Sequence, residues 1–202
     1  MKDNEGELAV RMARQAVEAE VRGESDGHVD APESFRDKRG VFVTLSSHPG
    51  HLLRGCIGFP EPIFSLASAI LQAAQHACHD PRFEDLREGE LDGIVVEVTV
   101  LTPPEEIKVK DRKELPKLVK VGRDGLIVEY GPYRGLLLPQ VPVEWEWSAE
   151  EFLGQTCMKA GMAPDMWLDR RTTLYRFEGE IFAEESPRGR VVRKEITHGA
   201  CR

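Results

Sequence analysis

The chain has 202 residues, of which 41% are apolar and 31% charged, and its formal net charge at pH 7 is −8. This composition is ordinary for a globular protein, and the length allows one domain or two small lobes. The negative charge argues against a general nucleic-acid binder, which needs a basic face to release counterions from phosphates. We find no apolar stretch long enough to span a bilayer and no signal-peptide core at the polar start, so we expect a cytoplasmic protein.

The first half of the chain predicts two helices and a strand pair. Apolar residues recur at helical spacing near the start, and Gly23 ends that run. Asp80-Pro81 ends the second helix, because the residue before a proline disfavours helical backbone. The predicted elements are a helix over 4–22, strands over 41–45 and 51–59, a helix over 63–79 and a strand over 93–101.

The second half continues the mixture of helices and strands. Gly131-Pro132 separates two apolar runs, which predicts a hairpin, and Ser148 with Glu151 forms the capping-box pattern of a helix start. We expect the tail after Pro187 to be loosely held. The predicted elements are a weak strand over 107–110, a helix over 111–121, strands over 125–130 and 133–138, a helix over 148–160 and a strand over 172–185. The whole pattern is α+β, because strands come in hairpins rather than in regular βαβ units.

The most informative segment is Leu53-Arg54-Gly55-Cys56-Ile57-Gly58. Side chains alternate along a strand, so Arg54 and Cys56 share one face. A guanidinium beside a thiol favours the thiolate, the reactive form of cysteine. The alternative is a packed cysteine with Arg54 in an ordinary ion pair. The glycines Gly55 and Gly58 remove side chains where a ligand or another backbone can approach closely.

This hexapeptide resembles the signature LRGCIG of the AMMECR-one domain family. Other segments resemble the family in the same order along the chain, so the likeness covers nearly all of it. They are 40–45 (GVFVTL), 80–83 (DPRF), 97–103 (EVTVLTP), 135–141 (GLLLPQV), 151–153 (EFL) and 157–161 (CMKAG).

The resemblance implies two lobes, each with an antiparallel sheet and flanking helices, and a cleft between them that the signature faces. We place the larger lobe at 1–110 and 169–202 and the smaller lobe at 111–168. The family has no firmly established activity. Its members are often encoded with, or fused to, Memo-like and radical SAM proteins, which implies a part in a modification pathway.

We predict Cys56 as the reactive thiol, with Arg54 as its activator or anion anchor. Glu144 is a candidate base if burial raises its pKa. The residues predicted to bind substrate are Gly55, Gly58, Arg82, Phe83, Gln140 and Lys159. For Arg82 the alternatives are an anion binder in the cleft and a structural pair with an acid such as Glu84 or Asp85.

The cysteines, the histidines and the basic residues were considered as possible sites for a metal, a cofactor or a charged partner. The cysteines lack CxxC spacing and are expected to be free thiols. His76 and His79 are interpreted as surface helix residues, so no metal site is predicted, and no motif names a cofactor. A basic stretch over 108–120 is interpreted as a solvated helix face, with a local basic groove as the alternative.

Three functions remain in view. They are an enzyme or enzyme component acting on a sizeable substrate, a binding module for such a substrate or a protein partner, and, last, a nucleic-acid-linked regulator. The sequence does not distinguish the enzyme from the binding module, and it does not indicate the oligomeric state.

Overall fold

The computed structural model describes residues 1–25 and 31–194. Its α-helices are α1 (Asp3–Arg22), α2 (Leu66–Cys78), α3 (Leu115–Leu118), α4 (Val141–Glu144) and α5 (Ala149–Lys159). Its strands are β1 (Val41–Ser47), β2 (Leu53–Phe59), β3 (Ile94–Leu101), β4 (Glu105–Glu106), β5 (Asp124–Tyr130), β6 (Tyr133–Leu137), β7 (Thr173–Glu184) and β8 (Val191–Lys194). Short 3₁₀ helices cover Glu33–Arg36, Glu88–Gly93, Arg112–Glu114 and Met166–Leu168.

The chain divides into two compact units, which we describe separately. Unit 1 comprises residues 1–101 and the described chain from residue 180 onward, and unit 2 comprises residues 102–179. In unit 1 the strand order is β2-β1-β3-β7, with β8 also paired to β7. In unit 2 the order is β7-β5-β6, with β4 also paired to β7. The predicted α+β class is confirmed, whereas the two lobes, their boundaries and their cleft stay predictions.

In unit 1, both long helices contribute to the core beneath one face of the sheet. The residues Val41, Val43 and Leu45 are fully buried, because alternate positions of β1 point into that core. The small residues Ala9 and Ala73 of α1 and α2 are fully buried in the same cluster. The residues between the buried ones in β1 point to the opposite face of this sheet.

In unit 2, helix α5 and the strand pair β5 and β6 form a separate core. Phe152 and Leu153 of α5 pack in one cluster with Leu126 of β5 and Leu174 of β7, all fully buried. The predicted capping box is present, because the Ser148 N–H donates to the Glu151 carboxylate at 2.8 Å and the Glu151 N–H donates to the Ser148 hydroxyl at 3.2 Å.

The structure differs from the predicted elements at four places, one of which is the short helix α4, where no element was predicted. The weak strand lies at Glu105–Glu106 rather than over 107–110. The helix over 111–121 is a 3₁₀ turn followed by the four-residue α3, because the backbone turns extended at Val119. Residues 191–194 of the tail form β8 rather than lying loose, and the tail after residue 194 is outside the described residues. No helix in the described ranges is long and apolar enough to cross a membrane.

Candidate functional site

Cys56 lies on β2, the last strand in the order of the unit 1 sheet. It is the register partner of Thr44 on β1, and Thr44 is the partner of Glu97 on β3. Because Val43 and Leu45 point into the core, Thr44 and its partners point to the opposite face. A thiol, a hydroxyl and a carboxylate therefore form one row across three strands.

The thiol of Cys56 is half-buried and neutral at ordinary pH. Burial raises the pKa of Cys56, and the negative charges of Asp80 and Glu97 raise it further. A hydrogen bond from the Thr44 hydroxyl, 3.3 Å from Sγ, and the charge of Arg82 act in the opposite direction but do not cancel the effect. The charge that lowers the pKa belongs to Arg82, and the activation of the thiol by Arg54 stays a prediction.

Arg54 is bound to a neighbouring segment. Its Nε and Nη2 donate to the two carboxylate oxygens of Glu90 at 2.8 and 3.0 Å. Its Nη1 and Nη2 donate to the carbonyls of Glu84 and Asp85 at 2.8 and 3.1 Å. Arg54 thus ties residues 84–90 to β2, which is the ion pair of the alternative interpretation. A role for Arg54 toward a substrate stays a prediction.

Asp80 and Arg82 bond to the backbone of Cys56 at the open edge of β2. The Cys56 N–H donates to Oδ2 of Asp80 at 2.9 Å, and Nη2 of Arg82 donates to the Cys56 carbonyl at 3.3 Å. Arg82 also donates to both carboxylate oxygens of Asp80, at 3.0 and 2.7 Å. Arg82, aided by the Cys56 N–H, holds the pKa of the buried Asp80 carboxyl well below its usual range. We call this arrangement the edge clamp.

Arg82 is therefore in a structural pair, although its acid is Asp80 rather than Glu84 or Asp85. The adjacent Phe83 is half-buried, and its ring centroid lies 5.6 Å from the Arg82 guanidinium carbon. Substrate binding by either residue stays a prediction.

The two glycines of the signature make room for the protein itself. A Cβ on Gly55 would lie 2.2 Å from the carbonyl oxygen of Ala77, at the end of α2. A Cβ on Gly58 would lie 2.3 Å from the Val41 carbonyl oxygen and 2.4 Å from the Phe42 ring. Of the two reasons for a glycine, close approach by backbone or by ligand, the structure shows the first. Substrate binding at Gly55 and Gly58 stays a prediction.

The remaining predicted residues belong to unit 2. Gln140 directly precedes α4, and Glu144 ends it. Burial raises the pKa of Glu144, in the direction that a general base requires. Lys159 is exposed at the end of α5, whereas Cys157 is fully buried. The predicted roles of Gln140, Glu144 and Lys159 beside Cys56 stay predictions.

His76 lies in the last turn of α2, and His79 is the C-cap residue of that helix. Both ring nitrogens of His79 face carboxylates, with Nε2 3.0 Å from Glu20 and Nδ1 3.0 Å from Asp85. Asp85, with Glu20, raises the pKa of His79. Within the part of the chain that the structure describes, no three His, Cys, Asp or Glu side chains are grouped as metal ligands.

Sequence reasoning missed Thr44, Glu97 and the clamping role of Asp80. Thr44 lies between Val43 and Leu45, and Glu97 between Val96 and Val98. A polar residue at an alternate position of an apolar strand marks the face opposite the core, and that signal was available.

The fold and this site define an α+β protein with a half-exposed cysteine that is fixed at a clamped sheet edge. The AMMECR1 family model matches residues 10–182, and the chain belongs to that family. It is 56% identical over 205 residues to a protein of Thermococcus gammatolerans, covering 97% of this chain and 98% of the relative. It is 53% identical to protein MJ0810 of Methanocaldococcus jannaschii, covering 95% and 96%.

A solved structure gives the same result. The crystal structure of the uncharacterized protein PH0010 from Pyrococcus horikoshii matches with a TM-score of 0.80 and 52% identity, covering 96% of this chain and 98% of that one. The names of these three relatives state no activity.

Proposed function

We propose that this protein is a binding component that presents the Cys56 face of the unit 1 sheet to a sizeable substrate or protein partner. The observation that carries the proposal is the edge clamp, in which Asp80 and Arg82 hold the backbone N–H and carbonyl of Cys56. Both backbone groups are engaged, so the backbone that carries the thiol is held in place before any ligand arrives. Such preorganisation favours binding, because less conformational freedom is lost on association.

The neutral thiol supports binding rather than nucleophilic attack. A protonated cysteine is a small, weakly polar group, and the thiolate is the attacking form. In this proposal Cys56 contributes its size and shape. Gln140, Glu144 and Lys159 would contact the same substrate across the predicted interlobe cleft.

A second candidate is an enzyme or enzyme component in which Cys56 reacts. The observation that favours it is the row of Cys56, Thr44 and Glu97, because Thr44 lies between the thiol and a carboxylate. The Glu97 carboxylate also pairs with Lys194 at 3.1 Å, and the Thr44 hydroxyl donates to the sulfur. Glu97 would accept the thiol proton through Thr44 if substrate binding turned that hydroxyl from the sulfur to the carboxylate. The family resemblance implies a part in a modification pathway with Memo-like and radical SAM proteins. Under this candidate the protein would act in that pathway in the cytoplasm. The net charge of −8 disfavours the nucleic-acid alternative.

The two candidates predict opposite effects of Glu97→Gln on the alkylation of Cys56. If Glu97 acts only by its charge, its removal lowers the pKa of the thiol and speeds alkylation at pH 8. If Glu97 acts as a base through Thr44, its removal slows alkylation. The measurement is the rate of iodoacetamide labelling against pH, determined for each cysteine by peptide mass spectrometry.

Two further measurements complete the test. Thr44→Val removes a hydrogen bond that lowers the pKa, so the pH midpoint of labelling should rise. In the wild type the labelling rate should still be increasing above about pH 8.5, the usual thiol value, where a reference cysteine peptide approaches its plateau. A plateau for Cys56 well below that pH would contradict the binding proposal and favour the enzyme.

A further inference from the structure

A cavity of about 350 Å³ in unit 2 carries an unusual excess of positive charge. The basic residues on its wall are Lys108, Lys110, Arg112 and Arg170, and its acidic residue is Glu106. Glu106 lies 3.5 Å from Lys108, so these two charges offset each other. The protein as a whole has a net charge of −8, and the local excess therefore runs against its composition.

Arg112 is the most informative residue of this cavity. Its Nη2 donates to the carbonyls of Asp169, at 2.7 Å, and of Thr172. Its Nε is buried and has no hydrogen-bond partner among the described residues. A buried donor of a charged group that lacks an acceptor costs free energy, so the present position of this side chain is not its best one.

The carboxylates near Arg112 are engaged elsewhere. The Asp169 carboxylate pairs with Arg171 at 2.7 Å, and the Asp111 carboxylate accepts from the Lys113 N–H at 3.0 Å. In the described ranges Arg112 forms no ion pair. Burial lowers the pKa of its guanidinium, because the charged form has lost part of its hydration. A partly desolvated guanidinium without an anion is the arrangement that an external anion completes.

The rest of the wall supplies further donors. Lys110 and Arg170 are exposed, and neither side chain forms a hydrogen bond or ion pair with a residue that the structure describes. Thr173 is half-buried on the same wall and adds a hydroxyl group. Two exposed cations, a guanidinium held by backbone carbonyls and a hydroxyl are groups that bind phosphate oxygens.

We propose that this cavity binds the phosphate group of a small phosphorylated molecule. The volume is at the lower end of the range for small-molecule sites, which suits a compact ligand rather than a polymer lying across a surface. This site lies within unit 2 and is independent of the function proposed for Cys56. It also revises the interpretation of residues 108–120 as a merely solvated basic face.

The test is calorimetric titration of the full chain with inorganic pyrophosphate at an ionic strength of about 0.15 M, where the screening length is about 8 Å. The double variant Lys110→Gln/Arg170→Gln removes two exposed charges from the wall and should weaken binding about tenfold or more, because hydrogen bonds to charged groups are strong. The matched control is Lys117→Gln/Lys120→Gln, which removes two exposed charges from the same stretch outside the cavity. This control should change affinity by less than about twofold, because distant surface charges are screened.

Nuclear magnetic resonance gives the location. Pyrophosphate should shift the Nε–H resonance of Arg112 and the amide resonances around Lys110 and Thr173. Equal weakening by both double variants, or no binding by the wild type, would overturn the proposal. The labelling rate of Cys56 should be the same in both double variants, so a failure here is distinguishable from a failure of the function proposed for Cys56.

Discussion

At the scale of single residues, the signature segment is a set of packing requirements around one thiol. Gly55 admits the end of α2, and Gly58 admits the Phe42 ring. Arg54 binds the segment 84–90, and Cys56 carries the clamp on its backbone. Each residue type is explained by a contact inside unit 1, which leaves the thiol itself as the group that faces outward.

Gly55→Ala should destabilise the protein. The added methyl group would lie 2.2 Å from the Ala77 carbonyl oxygen, so α2 or β2 must move. Overpacking of this kind costs about 1–3 kcal/mol, which urea unfolding would measure as a lower midpoint with an unchanged slope. The control is Gly89→Ala, where nothing lies within 4 Å and φ is not positive. A Gly55→Ala protein as stable as this control would contradict the close approach.

Asp80 should give the stability of the protein a dependence on acidic pH. Its pKa in the folded protein is lowered by Arg82, so the carboxylate contributes stability above its unfolded pKa of about 3.9. That contribution is lost as the pH falls below this value toward the folded pKa. Asp80→Asn should therefore be less stable at pH 7, by about 1–3 kcal/mol for the lost charged hydrogen bonds, and should lose less stability than the wild type below pH 4.

The measurement is urea unfolding of both proteins across the acidic range. The control is Asp37→Asn, because the Asp37 side chain is exposed and forms no ion pair with a residue that the structure describes. Its removal should leave the slope of stability against pH close to that of the wild type. Equal slopes in wild type and Asp80→Asn would show that the edge clamp does not stabilise the fold.

At the scale of elements, the sequence predicted what periodicity and caps determine. Helix α1 and the pair of β1 and β2 were found because their apolar spacing is unambiguous, and α5 because of the Ser148 cap. The prediction of a helix over 111–121 was wrong. The polar residues of this segment form no apolar stripe at helical spacing, and the backbone becomes extended at Val119. The partner of Arg54 was not predictable, because Glu90 lies 36 residues away and only the folded chain brings the two together.

Arg54→Gln should loosen the segment 84–90 rather than alter the thiol. The change removes the paired bonds to Glu90 and the bonds to the Glu84 and Asp85 carbonyls. Amide hydrogen exchange in this segment should become faster, because its opening would break fewer bonds.

Arg87→Gln is the matched control in the same segment. Arg87 forms a solvent-exposed ion pair with Glu84, and exposed ion pairs contribute little to stability. Its exchange rates should match the wild type. A marked slowing of Cys56 alkylation in Arg54→Gln, with unchanged exchange, would instead support Arg54 as the activator of the thiol.

At the scale of the whole molecule, each unit has a core of its own and one strand serves both. The first part of β7 pairs with β5 in unit 2, and its last residues pair with β8 in unit 1. Sequence patterns located every strand of this arrangement except β4 and β8, because two and four residues are too short for a clear alternation. Loss of β7 pairing in one unit should therefore weaken the strand in the other.

The buried cysteines report whether the two units unfold together. Burial raises the pKa of Cys78 in the unit 1 core to about 12 and that of Cys157 in the unit 2 core to about 11. Neither thiol should be labelled in the native protein at pH 8, and both should become reactive on unfolding.

Pulsed alkylation across a urea series, with each cysteine read by mass spectrometry, gives one midpoint for each unit. We expect the two midpoints to coincide, because β7 belongs to both sheets and cooperative unfolding makes different probes agree. A lower midpoint for one cysteine would show that its unit unfolds while the other keeps its own half of β7.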